Sequence, residues 1–231
     1  MMLSSLASRS PQGAASSATS SAFKKQRAST REVLSHAFDG APDAFNLSEH
    51  ERALFTGASA TYGELDFDGV SALVHALRLN EHSTFYDLGS GRGAAVLHVA
   101  IESSARRSIG IELSQRRHQV AERALRRVDG RVAGVADRTA FVCADLRAVP
   151  WHLDATAVYV ANLLFPPCLD AAVCRRLAES GTIDRVATLK PLEGLPGAAH
   201  LAHVGRLRVP FSWAARGHLY VYERRRRRVD S

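Results

Sequence analysis

The sequence predicts an α/β fold: a doubly wound, mostly parallel sheet that ends in an antiparallel C-terminal hairpin. Three observations carry this. Short apolar runs of strand length alternate with longer segments at helical spacing, the pattern of a parallel sheet with helical crossovers. Glycines cluster where Phe85-Tyr86-Asp87-Leu88 passes through Gly89-Ser90-Gly91-Arg92-Gly93 into the helix formers Ala94-Ala95-Val96-Leu97. Two further runs close on an acid, Glu112 and Asp145, and ligands of open α/β sheets bind at the carboxyl ends of strands.

The totals bound the rest. With 231 residues, 46% of them hydrophobic, the chain can bury the core of one domain. No apolar run approaches the ~20 residues of a membrane span. Cys143, Cys168 and Cys174 form no C-x-x-C pair, so we expect small core residues in a reducing, intracellular compartment. The net charge is +7, yet Arg9, Lys24, Lys25, Arg27 and Arg31 give the first 31 residues +5 with no acid. Arg224 to Arg228 against Glu223 and Asp230 give residues 223–231 a further +3, which leaves −1 for residues 32–222. The expected organisation is therefore a disordered basic tail over 1–31, a folded domain over 32–222 and an Arg-rich tail over 223–231. Such tails suit a polyanion such as nucleic acid, or an import receptor. The Ser/Ala-rich start also fits an organellar transit peptide, and Lys24-Lys25-Gln26-Arg27 a nuclear signal.

Taken in order, residues 31–60 predict one short helix near Asn46 to Leu54, capped by Asn46 or Ser48. Val70, Leu73, Val74 and Leu77 then share one helical face, with His75 on its flank. Thr84 to Leu88 is the first strand and Ser108 to Glu112 the second. Ser114 caps a helix to about Val128 whose arginines make a solvated basic face or one that meets a polyanion. Thr139 to Leu146 and Ala155 to Ala161 are the next strands. Pro166 and Pro167 open the helix Cys168 to Glu179, where a missing N–H does no harm. Thr182 to Leu189 is the fifth strand and residues 191–203 read as loop. Val204 to Phe211 and His218 to Tyr222 form the hairpin, joined through Ala214-Ala215-Arg216-Gly217.

The glycine spacing, Gly89-x-Gly91-x-Gly93 with Asp87 just ahead, is a poor match to the G-x-G-x-x-G of dinucleotide sites. It is similar to the D/E-x-G-x-G-x-G motif of class I S-adenosylmethionine (SAM) methyltransferases, whose fold is Rossmann-like. Tyr62-Gly63-Glu64, Asp87-Leu88-Gly89-Ser90-Gly91-x-Gly93, Gly110-x-Glu112, Asn162-x-x-Phe165 and Ser212-Trp213 with Tyr220 narrow this further. In that order, over roughly residues 60–223, they resemble the non-SET histone-lysine methyltransferases of the Dot-one (disruptor of telomeric silencing) type. The resemblance implies SAM as cofactor, held by Tyr62, Glu64, Asp87, Gly89, Gly91, Gly93, Glu112 and Asp145, with Leu146 over the adenine. It implies Asn162, Phe165 and Tyr220, with Trp213, around the transfer channel, and no metal.

The implied acceptor is a protein lysine, on a histone or nucleosome, with chromatin in the nucleus ahead of a mitochondrion or other organelle as the compartment. The sequence departs from the family at Ala161 and Leu163, which replace an asparagine and a phenylalanine, and in its short N-terminal part. A nucleic-acid methyltransferase, or a SAM-fold module that binds nucleic acid without catalysis, are the alternatives. Leu163-Leu164-Phe165 separates Asn162 from Pro166-Pro167 and so breaks the N-P-P-Y/F pattern of the former.

Overall fold

Thr84–Leu88 (β1) is buried along its whole length, as expected of a strand covered on both faces. The computed structural model describes residues 25–27, 29–41, 44, 46–55, 63–212 and 214–225. Within them β1 lies inside a sheet completed by Arg107–Glu112 (β2), Thr139–Cys143 (β3), Ala157–Val160 (β4), Arg185–Thr188 (β5), Leu201–Phe211 (β6) and Ala214–Arg224 (β7). The order is β3-β2-β1-β4-β5-β7-β6. Strands β1 to β5 run parallel, and β7 pairs antiparallel with both β5 and β6.

The helices follow from the pattern. Residues 29–38 form α1, followed by Glu49–Leu54 (α2), Phe67–Leu77 (α3), Ala94–Glu102 (α4), Gln115–Asp129 (α5), Val135–Arg138 (α6) and Pro167–Glu179 (α7). In α3 the Asp66 carboxylate accepts the Gly69 N–H at 2.8 Å, a cap worth about 1 kcal/mol. Its Val70, Leu73, Val74 and Leu77 meet Phe85 and Tyr159 on one face of the sheet, beside Val99 of α4. On the other face Val173, Cys174 and Leu177 of α7, with Trp151, cover Tyr86, Leu88, Ile111 and Val158. Successive residues of β1 thus serve opposite layers, as a period of two requires. A third cluster joins Val33 and Ala37 of α1 to Leu97 of α4 and Ala124 and Val128 of α5.

The parallel sheet, the helix starts at Ser114 and at the two prolines, and the hairpin agree with expectation. Several boundaries do not. The folded body takes in residues assigned to the N-terminal tail, because Arg27 and Arg31 both reach Asp68, at 2.6 and 3.2 Å, and Arg31 lies over the Phe67 ring. Residues 201–203 are strand rather than loop, and residues 214–217 are strand rather than connection, since Phe211 already pairs with Ala214. The small residues there conceal a strand that is held by its neighbours.

Of the cysteines only Cys174 is buried; Cys143 is half-buried and Cys168 exposed. Nor is α5 simply a solvated basic face. Arg117 is 3% exposed and donates to the Ala44 carbonyl at 3.0 Å, while Arg127 donates to the carbonyls of Ala37 and Asp39 past the end of α1. Glu122 and Arg126 form the expected surface pair at 3.7 Å.

Arg224, assigned by composition to the C-terminal tail, is structural as well. It donates to the carbonyls of Leu177 and Ser180, which α7 leaves open at its C-terminal end, and to that of Ile183 just before β5. Replacing it (Arg224→Ala) is expected to cost about 2 kcal/mol, or roughly 4–8 °C in Tm. Arg224→Lys should recover part of the loss in a thermal melt. An Arg224→Ala melt matching wild type would place the residue outside the fold's stabilising contacts.

Candidate functional site

Four strands of the parallel sheet bring their carboxyl ends together, and the chemistry-bearing residues stand there. After β1 the chain turns through Gly89, Gly91 and Gly93, with φ of 90°, 55° and 84°, values open to glycine and strained for other residues. The turn also has no room for side chains. A Cβ on Gly93 would sit 2.5 Å from the Phe141 ring. The loop is pinned on the next strand, since the N–H groups of Gly89 and Ser90 both donate to the Ile111 carbonyl, at 2.9 and 3.0 Å.

Glu112, the last residue of β2, ties the loop to the following helix. One carboxylate oxygen accepts the Gly91 N–H and the other the Ser114 N–H, each at 2.8 Å, with Arg117 at 3.9 Å. Burial pushes its pKa up, against the opposing pull of those N–H groups and Arg117. Glu51 of α2 steadies the same corner by accepting from the Ser114 hydroxyl at 2.8 Å and the Arg116 N–H at 3.0 Å.

Asp87 is 3% exposed, and its Oδ1 has no hydrogen-bond partner. Burial, and then the charges of Glu112 and Glu64, push its pKa up to about 8. Glu64 itself is gripped by Arg92 of the glycine loop through contacts of 2.8 to 3.0 Å. The Glu64 backbone pairs with Ser212 at the hairpin tip, carbonyl to N–H at 2.9 Å and N–H to hydroxyl at 3.1 Å.

Beside the loop lies a cavity of about 100 Å³ lined by Gly89, Ile111, Glu112, Asp145, Leu146 and Phe165 among others. Its walls are mainly apolar, and polar groups stand on its rim. The Phe165 ring would lie 3.6 Å from a Cβ on Gly89, so it covers that glycine. Trp151 donates from its indole N–H to the Leu146 carbonyl at 3.0 Å and fixes that wall. Asp145 is paired with Arg147, whose side-chain hydrogen bonds hold its carboxyl below the usual range.

The structure therefore brings Gly89, Glu112, Asp145 and Phe165 to one cavity, with Asp87, Gly91, Gly93 and Glu64 around the adjoining loop. Two expected residues stand elsewhere. Asn162 is buried, with its carbonyl oxygen accepting from the N–H groups of Leu189 and Lys190 and its amide donating to Asp170, so it braces two strand ends. Tyr220 lies on β7 beside His203 and Arg206 and does not line the cavity. Tyr62 and Trp213 lie outside the described residues. Unforeseen were Arg92, Arg117 and the Asp170–Lys190 pair, whose partners are distant in sequence and leave no local pattern. Among the described residues no group of side chains could hold a metal ion, and no helix is long and apolar enough to cross a membrane.

Residues 42–197 match the family model described as histone methylation protein DOT1. A curated relative, the H3 lysine-79 specific histone-lysine N-methyltransferase of Caenorhabditis elegans, is 34% identical over 84 residues, 36% of this chain. The chain spans 9% of that protein's length. Among solved structures, an RNA methyltransferase from Salinibacter ruber in complex with S-adenosyl-L-homocysteine matches with a TM-score of 0.53 and 21% identity, over 70% of this chain and 94% of that one. Geranyl diphosphate C-methyltransferase from Streptomyces coelicolor A3(2) matches with a TM-score of 0.52 and 13% identity, over 67% and 79%. At such identities the shared property is the fold.

The buried Asp87 makes stability depend on pH. Its carboxyl titrates near 3.8 ordinarily and near about 8 in the fold, so the native state holds an extra proton between those values. Stability should fall as pH rises from about 4 to about 8 and level off above. Asp87→Asn should remove that slope in urea unfolding followed against pH. Parallel curves for the two proteins would refute the shift.

Proposed function

The chain belongs to the DOT1 family of histone methylation proteins, and from that membership we propose that it transfers a methyl group from SAM to a protein lysine, on a histone within the nucleosome. One observation carries the cofactor assignment: a loop that has glycine at 89, 91 and 93 follows a buried carboxylate, Asp87, whose Oδ1 has no partner. Such a group calls for a cation. SAM offers an ammonium, and its adenine suits a cavity walled by Ile111 and Leu146 with Asp145 on the rim. The residues present thus fit the group. Asp87, Gly89, Gly91, Gly93, Glu112 and Asp145 would hold it, with Glu64 beside the loop on Arg92; Tyr62, expected in the same set, lies outside the described residues.

When bound, SAM supplies an electrophilic methyl on a sulfonium. The protein's own part is positioning and desolvation. A lysine amine, with a reference pKa near ~10.4, must shed its proton to become a nucleophile, and an apolar surround favours its neutral form. Phe165 provides such a surround at the cavity wall, and Asn162 keeps the segment carrying it in place. Tyr220 stands on β7 and does not line the cavity. A histone substrate implies a nuclear protein, which the basic composition of the chain ends supports. Contact with nucleic acid through those ends would fall to residues 1–24 and 226–231, outside the described set.

The test is transfer of labelled methyl from SAM to nucleosomes, free histones, total RNA and a lysate, with Asp87→Ala as control. Label on nucleosomes or histones, absent from the control, is expected. Label confined to RNA would overturn the lysine assignment.

Calorimetry adds a second check. At pH 6.5 the Asp87 carboxyl, with its pKa near about 8, carries its proton, so binding S-adenosylhomocysteine through its ammonium should release close to one proton. That release should vanish above pH ~9, with affinity rising up to about tenfold per pH unit below pH 8. Binding with no proton release at pH 6.5 would remove Asp87 from the ammonium site.

A further inference from the structure

Behind Phe165 a polar cluster holds the β4–α7 segment in a way the cavity alone does not require. Asn162 is 1% exposed. Its Oδ1 accepts the N–H groups of Leu189 and Lys190, each at 2.9 Å, and its Nδ2 donates to Asp170 Oδ1 at 3.0 Å. The other Asp170 oxygen meets Lys190 Nζ at 2.6 Å, and the same Nζ donates to the Phe165 carbonyl at 2.8 Å. The Thr188 hydroxyl fixes the Lys190 carbonyl at 2.7 Å.

The local chain explains why such a brace is needed. Pro166 and Pro167 have no N–H, so the backbone there can be held only through carbonyls. The Pro166 carbonyl is taken by the N–H groups of Leu169 and Asp170, and the Phe165 carbonyl by Lys190. Leu163 and Leu164, 45% and 46% exposed, point outward. The segment therefore hangs between Asn162 at one end and the Phe165 carbonyl at the other. Asp170 has a side chain 8% exposed and needs a cation beside it, whereas Lys190 is 32% exposed.

We propose that Lys190 and Asp170 are positioning residues: the pair fixes the Phe165 carbonyl and, through it, the ring over Gly89, setting the wall between cofactor and acceptor. Its effect on catalysis rests on the methyl-transfer reading above; the brace itself is a property of the fold. Neither side chain lines the cavity. Both act through Phe165.

The experiment combines hydrogen exchange by mass spectrometry with steady-state kinetics on Lys190→Met, Lys190→Arg and the double variant Asp170→Asn/Lys190→Met. The double variant leaves no lone buried charge, so it reports on the brace even if Lys190→Met alone fails to fold. Expected is a rise of about tenfold in amide exchange over residues 163–169, with α4 and α5 unchanged. Alongside it kcat should fall about tenfold with a smaller change in KM for SAM, and Lys190→Arg should restore much of both. Exchange that stays at the wild-type rate in residues 163–169, or rises evenly across the chain, overturns the proposal, as does an unaltered kcat. Wild-type protein inactive on every acceptor would sink the methyl-transfer reading instead, and the exchange rates would still decide the brace in the same two directions.

Discussion

The carboxylate of Glu112 is the contact on which the rest of the site depends. It touches both the turn after β1 and the start of α5, through the N–H groups of Gly91 and Ser114. Both donors belong to backbone that has no other partner for them in the fold's regular structure, and both oxygens are used. The charge is tolerated because Arg117, itself 3% exposed, stands 3.9 Å away. Arg117 in turn reaches the Ala44 carbonyl, so the region ahead of α2 is referenced to the same carboxylate. Remove that carboxylate, and the glycine loop, α5 and the N-terminal segment lose their common anchor.

Around it the structure works by leaving things out. Gly93 lies against the Phe141 ring and Ala121, and Gly110 against Ser90. Missing Cβ atoms let strand, loop and helix close up, with the N–H groups of Gly89, Ser90 and Gly91 taken by the Ile111 carbonyl and the Glu112 carboxylate. Two other acids, Glu64 and Asp87, crowd the loop. Glu64 has Arg92, whereas burial, and then the charges of Glu112 and Glu64, push the Asp87 pKa up to about 8. The loop is thus built to prefer a cationic guest over none.

Much of this was legible. The strand that ends on Asp87, the glycine spacing, Glu112 and Asp145 are local features, and local features survive in a sequence. The apolar period of α3 and the cap at Ser114 are of the same kind. What escaped notice depends on pairing across the fold. Arg92 and Glu64 are 28 residues apart, Lys190 and Phe165 are 25 apart, and Arg127 and Asp39 are 88 apart. Composition misled where arginines crowd together: in α5 and at Arg224 a run that reads as solvated surface includes donors to buried carbonyls. Asn162 was found by its place in a motif, yet its two acceptor contacts make it a brace between strand ends.

Strand β7 is the last in sequence but lies inside the sheet, between β5 and β6. Until residues 214–224 are made, β5 is an open edge with four residues of unpaired backbone, and β6 lacks its neighbouring strand, with Phe211 bridged to Leu65 at its far end. A chain still emerging from the ribosome would therefore carry its cofactor loop and first five strands beside an exposed template for pairing. Because Ser212 at the hairpin tip also fastens the Glu64 backbone, the segment leading into α3 gains a second tether, beside the Arg92 contact, when that late hairpin docks. In this fold, completion of the sheet and fastening of the segment before α3 come together, late in the life of the nascent chain.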